Sequence, residues 1–240
     1  MHMNNESKLA SLEDILTSFF IALTKGNMDV PAPFSMALWS IFHHTSSPLI
    51  VSCALDDDSA AETIRQIKNT LFTQKPELPT AFNSPLTYLC DELICNIQQH
   101  AQTDKSHIYA GYNPQSDSVE IAIADYGVTI YGSYVAAQKH LDKLGDSDAD
   151  ALNLAQNGYS VKNLPDTENR GYGISSNIRM VVNGLHGEFA VMSGNALLLQ
   201  DATKRKILSL PRDIDFKGTM VLVRIPAQIP NDFNMYDYMS

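Results

Sequence analysis

Apolar and polar positions alternate along this chain in runs of two distinct periods. Over residues 6–25, Leu9, Leu12, Leu16, Phe19 and Leu23 recur at helical spacing. This pattern predicts an amphipathic helix that ends near Gly26 and needs a surface to pack on. A second short apolar segment, 34–42, follows Pro31 and Pro33 and predicts another helix before Pro48. Residues 49–55 read as a strand, and 58–73 as a helix with Ile64, Ile67 and Leu71 facing inward. After a proline-bounded connector at 76–85, a helix over 84–101 carries the stripe Leu86, Cys90, Leu93, Ile94, Ile97 and Ala101. Strands are predicted at 107–112 and 119–124, joined as a hairpin through the turn from Asn113-Pro114 to Asp117.

The segment 131–169 breaks this regularity. It is long, polar in its second half and interrupted by Gly145, Gly158 and Pro165, so a mobile lid is expected there. A helix over 174–185 and strands at 188–192, 196–199, 207–210 and 219–225 complete the ordered chain, and the tail after Pro230 is expected to be loose. Most neighbouring strands have no crossover helix between them. The expected class is therefore α+β: a two-layer α/β sandwich whose sheet is mixed but mainly antiparallel, with helices on one face.

Composition narrows the setting. A chain of 240 residues can bury one sizeable core plus an extension. The division expected is an N-terminal helical extension at 1–46, a main domain at 47–228 and a tail at 229–240. Seventeen basic against 27 acidic side chains give a net charge of -10, which argues against nucleic acid or an anionic membrane surface as the main partner. The apolar runs are far shorter than the roughly 20 residues needed to span a bilayer. The N-terminus does not read as a signal peptide, since Glu13, Asp14 and Thr17 interrupt its apolar residues. Cys53, Cys90 and Cys95 are odd in number and lack a CxxC spacing. A reduced, cytoplasmic protein without a zinc site is expected.

The candidate chemistry sits on four stretches. Glu92, Asn96 and His100 follow one another at i, i+4 and i+8 beside the apolar stripe of the 84–101 helix. Alone, that is the polar face of an ordinary core-packed helix. Next, the apolar strand 119–124 ends at Asp125-Tyr126-Gly127, where a carboxylate can accept from an exocyclic amine such as that of adenine and Gly127 permits a sharp turn. Alone, Asp125 is a turn residue capping a strand. Arg170-Gly171-Tyr172-Gly173-Ile174 then opens a helix whose N-terminus could receive phosphate oxygens. Finally, Gly218-Thr219 begins the last strand. Each part is weak, and the order of the four is the signal.

That order resembles the GHKL ATPase superfamily, shared by gyrase, a heat-shock chaperone, sensor histidine kinases and mismatch-repair ATPases. Glu92-Leu-Ile-Cys-Asn96 is similar to its N box, Asp125-Tyr-Gly127-Val-Thr129-Ile130 to its first glycine box and Gly171-Tyr-Gly173-Ile174 to its second. Gly158-Tyr-Ser160-Val-Lys162 resembles a lid segment of some sensor kinases, and Ser193 and Gly218-Thr219 resemble their closing strands. The stretch 49–101 also looks like the opening of the small anti-sigma-factor kinases. The resemblance covers about residues 47 to 227 and implies the Bergerat ATP-binding fold with ATP and Mg2+ as cofactors. By the same resemblance Asn96 would coordinate Mg2+, and Glu92 would act as general base. Asp125 would read adenine in a pocket lined by Gly127, Ile130 and Thr219. Gly171, Tyr172, Gly173 and Ile174 would face the phosphates, with His100 near them and Lys162 or Arg170 neutralising their charge. Thr129 departs from the family, which usually has a second glycine there, and Ser160-Val161-Lys162 replaces the usual Ser-Thr-Lys.

His43, five residues before Pro48-Leu49, echoes a histidine-kinase phospho-acceptor box. The strand at 49–55 stands where that box should continue as a helix, so His43 is read as a structural or surface histidine. Three activities stay open: a kinase that phosphorylates Ser or Thr of a protein partner, an ATPase whose closure drives an assembly change, and a nucleotide-binding module without catalysis. The stripe at 6–25 is expected to be buried either in a C2 homodimer or on the chain's own core, with the dimer slightly favoured.

Overall fold

The computed structural model describes residues 48–161, 173–210 and 215–238. The helices expected at 6–25 and 34–42, His43, and the site candidates Lys162, Arg170, Gly171 and Tyr172 lie outside these residues.

Strand β1 (Leu49–Ala54) leads into helix α1 (Asp57–Gln74). Asp56 caps that helix, its carboxylate accepting from the Ser59 N–H at 2.8 Å. Helix α2 (Asn83–His100) follows, with Pro85 in its first turn, where the missing N–H costs nothing. Leu86, Cys90, Leu93, Ile94 and Ile97 are buried as the predicted stripe requires, and Leu89, which the stripe did not include, is buried with them. Strands β2 (Lys105–Asn113) and β3 (Ser118–Ala124) form the predicted hairpin. Its turn is held by Asn113 Oδ1, which accepts from the Gln115 N–H at 3.0 Å.

The segment expected to be a mobile lid contains two helices, α3 (Ile130–Ala137) and α4 (Asp148–Gln156). Tyr134, Ala151 and Leu154 are buried together as a small core of their own. Helix α4 is also tied to the sheet. Asp148 Oδ2 accepts from the Asn195 N–H at 3.0 Å, and Asn153 Oδ1 accepts from the Arg205 guanidinium at 2.6 Å. The tertiary fold here pools apolar side chains that are scattered in sequence.

Helix α5 (Ile174–Ile178) continues as a wider helical turn over Arg179–Gly184. Strands β4 (Glu188–Gly194), β5 (Ala196–Gln200), β6 (Arg205–Ser209) and β7 (Phe216–Pro226) complete the sheet. Its order is β1-β2-β3-β7-β4-β5-β6. Every ladder among the described strands is antiparallel, so the mixed character expected from sequence is not found. The last strand does not add to an edge. It inserts between β3 and β4, and this position brings Thr219 beside Asp125.

The principal core lies between one sheet face and the helices: Ile64, Ile67 and Leu71 of α1 and the stripe of α2 pack with Ile108, Ile121, Val191 and Val223 of the strands. The tail expected to be loose packs on this core as well. Phe233 and Tyr238 stack with ring centroids 5.9 Å apart, close against Gly184. The opposite sheet face is also buried, through a second apolar cluster that includes Tyr109, Ala122, Leu197 and Leu222. No described helix is long and apolar enough to cross a membrane.

Candidate functional site

A cleft opens between α2, the start of α3, the segment after α4 and the first residues of α5. Its floor is the sheet, through Ile123, Asp125, Thr219 and Val221. Of the residues predicted from sequence, Asn96, His100, Asp125, Ile130, Gly173, Ile174 and Thr219 line it. Their sequence separation is bridged by sheet order. Because β7 lies beside β3, the Asp125 N–H donates to the Thr219 carbonyl at 2.9 Å.

Asp125 is 2% exposed. One carboxylate oxygen accepts from the Gly127 N–H at 2.8 Å. Burial nevertheless dominates and pushes its pKa up to about 6, against the opposing pull of the Gly127 and Thr219 hydrogen bonds. A buried acceptor is thus held at the bottom of a largely apolar cavity by backbone on both sides.

Gly127 does not line the cleft. A Cβ there would come within 1.7 Å of the Ala101 carbonyl oxygen, and the next residue, Val128, donates its N–H to that same oxygen at 2.7 Å. Its role is to let the turn after β3 press against the end of α2. Gly218 serves the other side of the carboxylate: its φ is +121°, and a Cβ would meet the Asp125 carbonyl oxygen at 2.1 Å. Thr129, at the position where the resembled superfamily usually has a second glycine, sits at φ -66° and caps α3, its hydroxyl accepting from the Gly132 N–H at 3.0 Å. No glycine is needed at that position.

Thr219 and Ser193 face each other across β7 and β4, with their hydroxyl oxygens 3.0 Å apart. Ser193 also accepts from the Ile130 N–H at 2.9 Å and donates to the Gly218 carbonyl at 3.1 Å. The strand pair is thereby stitched to the first turn of α3.

On the opposite wall, the Asn96 amide nitrogen is buried and makes no hydrogen bond. Which amide atom is nitrogen and which oxygen is interchangeable on geometry, so an unsatisfied polar end faces this region in either orientation. Gly173 lies against it, where a Cβ would stand 3.8 Å from Asn96 Oδ1. The Gly173 N–H, expected to face phosphate, donates instead to Ser176 Oγ at 3.1 Å. Glu92 stands one turn before Asn96 on α2, half-buried and outside the cleft wall.

Sequence reasoning missed Val128, Ser133, Tyr134 and Val161, all of which line the cleft. Tyr134 donates its hydroxyl to the Tyr159 carbonyl, and His140 Nε2 lies 3.0 Å from the Ser160 carbonyl, so the segment after α4 is fixed over the cavity. The capping Thr129 was the available signal that a helix begins just after the turn at Asp125 to Gly127.

Among the described residues, no Lys or Arg lines the cleft and no cluster of three or more His, Cys, Asp or Glu could hold a metal ion. A hard cation would depend on oxygens brought by a ligand, with Asn96 as the protein's contribution. No protein-family model and no curated protein matches the chain. What the site can do therefore follows from its own geometry.

Proposed function

We propose that the cleft binds ATP or ADP with Mg2+, in the manner of GHKL-type ATP-binding domains. The observation that carries this is the pairing, across one apolar cavity, of the buried Asp125 acceptor with the unsatisfied amide of Asn96. Apolar walls from Ile97, Ile123 and Val221 suit a flat heteroaromatic ring, and a carboxylate at the floor suits its exocyclic amine. An unmade buried hydrogen bond costs about 1–3 kcal/mol, which a polar ligand group would relieve. Mg2+ would supply charge neutralisation between phosphate oxygens, and Asn96 would hold it through its amide oxygen.

The activity built on this site is that of a partner-regulating kinase or an ATP-driven switch, acting on a protein partner in a cytoplasmic setting. Transfer to Ser or Thr is favoured over His. A second reading, a nucleotide-binding module without catalysis, is favoured by the position of Glu92 outside the cleft wall. An ATPase that drives an assembly change is the third.

Titration calorimetry with ATP and ADP, with and without Mg2+, tests the binding step. Saturable heat that Asp125→Asn weakens is expected, and no heat with either nucleotide would overturn the proposal. Labelled Mg-ATP, given to the protein alone and with cell extract, then separates the activities: label on another protein marks a kinase, free phosphate an ATPase, and neither a binding module.

A further inference from the structure

The far face of the sheet is buried although no described helix lies on it. Its cluster is drawn from the strands and their connections, whereas the core residues of α1, α2 and α5 belong to the first face. Leu197 and Leu199 are 0% exposed and Leu222 is 2% exposed. A side chain standing on the free face of a single sheet could not be so enclosed by its in-plane neighbours alone, because they rise beside it and leave its end open. Something covers this face.

The chain itself limits the candidates. The stretches outside the described residues are 1–47, 162–172, 211–214 and 239–240. The second, 11 residues long, lies in sequence between α4 and α5, whose buried residues Leu152 and Ile178 belong to the helix-side core, and the last two are only a few residues long. The buried area runs from β2 through β3, β7, β4 and β5, five strands that at about 4.8 Å spacing span roughly 20 Å. Two helices side by side, each about 10 Å across, would cover that width. The segment 1–47 contains two apolar stretches, the stripe at 6–25 and the segment 34–42, and it ends where β1 begins. The cover also has a boundary: Ile50, on the same face of the outer strand β1, is 56% exposed.

We propose that residues 1–47 of this same chain dock on the far face of the sheet as a third layer, with Leu9, Leu12, Leu16, Phe19 and Leu23 turned toward Leu197, Leu199 and Leu222. This occupant replaces the C2 homodimer as the partner of the N-terminal stripe. It is independent of what the cleft binds, since that cavity opens on the other face.

Trp39 is the chain's single tryptophan and lies inside the proposed cover, so its fluorescence reports docking in the unmodified full-length protein. Acrylamide quenching of Trp39 is expected to be several-fold weaker in the folded protein than in urea, at concentrations where light scattering shows a monomer. Equal quenching in both would overturn the proposal. So would protection that disappears on dilution together with a dimer, since a second copy would then supply the cover. Two core truncations tie the signal to this face: Leu222→Ala should raise Trp39 quenching, and Val223→Ala, the next residue of β7 on the helix face, should not. An equal effect of both, or none from Leu222→Ala in a folded variant, would refute the docking face.

Discussion

A Cβ on Gly127 would lie 1.7 Å from the carbonyl oxygen of Ala101, closer than any two such atoms can approach. The turn that presents Asp125 and the end of the helix that presents Asn96 are therefore in contact through a position where only hydrogen fits. Gly127→Ala must push the two apart. It is expected to destabilise the fold by at least the roughly 1–3 kcal/mol typical of overpacking, read as a lower urea midpoint, and to weaken nucleotide binding in whatever fraction remains folded. Wild-type stability in this variant would mean that the turn is not seated as described.

Asp125 links stability to pH with an unusual sign. Its pKa is raised by burial, so the folded chain holds that proton more tightly than the unfolded chain, and stability falls as pH rises from the ordinary aspartate range through about 6. The linkage amounts to about 3 kcal/mol at neutral pH. Asp125→Asn keeps an acceptor for the Gly127 N–H and loses the charge. The variant should melt at a higher temperature than wild type at pH 7.5, with the difference vanishing near pH 4. It should also bind ATP more weakly, by the roughly 1.5–3 kcal/mol of a charge-assisted hydrogen bond. Parallel melting curves across pH would exclude this account.

Asn96→Ala removes a polar group that satisfies no partner in the protein. Without nucleotide its melting temperature should be unchanged or slightly higher. With nucleotide, the gain in affinity on adding Mg2+ should be lost while Mg2+-free binding persists. A variant that loses both equally would place Asn96 in general packing.

The helix α4 is expected to be protected from hydrogen exchange before any nucleotide is added, because Asp148 and Asn153 anchor it to the sheet and Leu154 is buried. Added protection on binding should concentrate at 158–161, which lines the cleft. Fast exchange throughout α4 in the free protein would contradict the anchoring.

Glu120 is fully buried on the far face and accepts from Arg224 at 3.1 Å and from Asn113 at 3.0 Å. Arg224 also reaches Glu188 at 3.5 Å. Arg224→Met would remove this cation from the buried Glu120 carboxylate and is expected to destabilise the fold, with about 3–5 kcal/mol as the upper end. Chemical denaturation measures it directly, and a loss below about 1 kcal/mol would show that the carboxylate is compensated by another route.

Local periodicity by itself determined a good part of this protein. The stripe from Leu86 to Ile97 could only be a helix buried on one side. The short apolar run 119–124 and the turn residues after Asn113 read as a hairpin with the strand before them, since short apolar runs bounded by turn signals form buried strands. The placement of Asn96 and Asp125 on those two elements was legible for the same reason. Tertiary structure alone decided what separates or joins distant residues. The insertion of β7 between β3 and β4, which brings Thr219 to Asp125 and Ser193, depends on pairing β7 with a strand about a hundred residues earlier in the chain. The small core of Tyr134, Ala151 and Leu154 was equally hidden, as was the enclosure of the sheet's far face. Burial there is conferred by what packs on top, and no pattern within a strand encodes the identity of the layer above it.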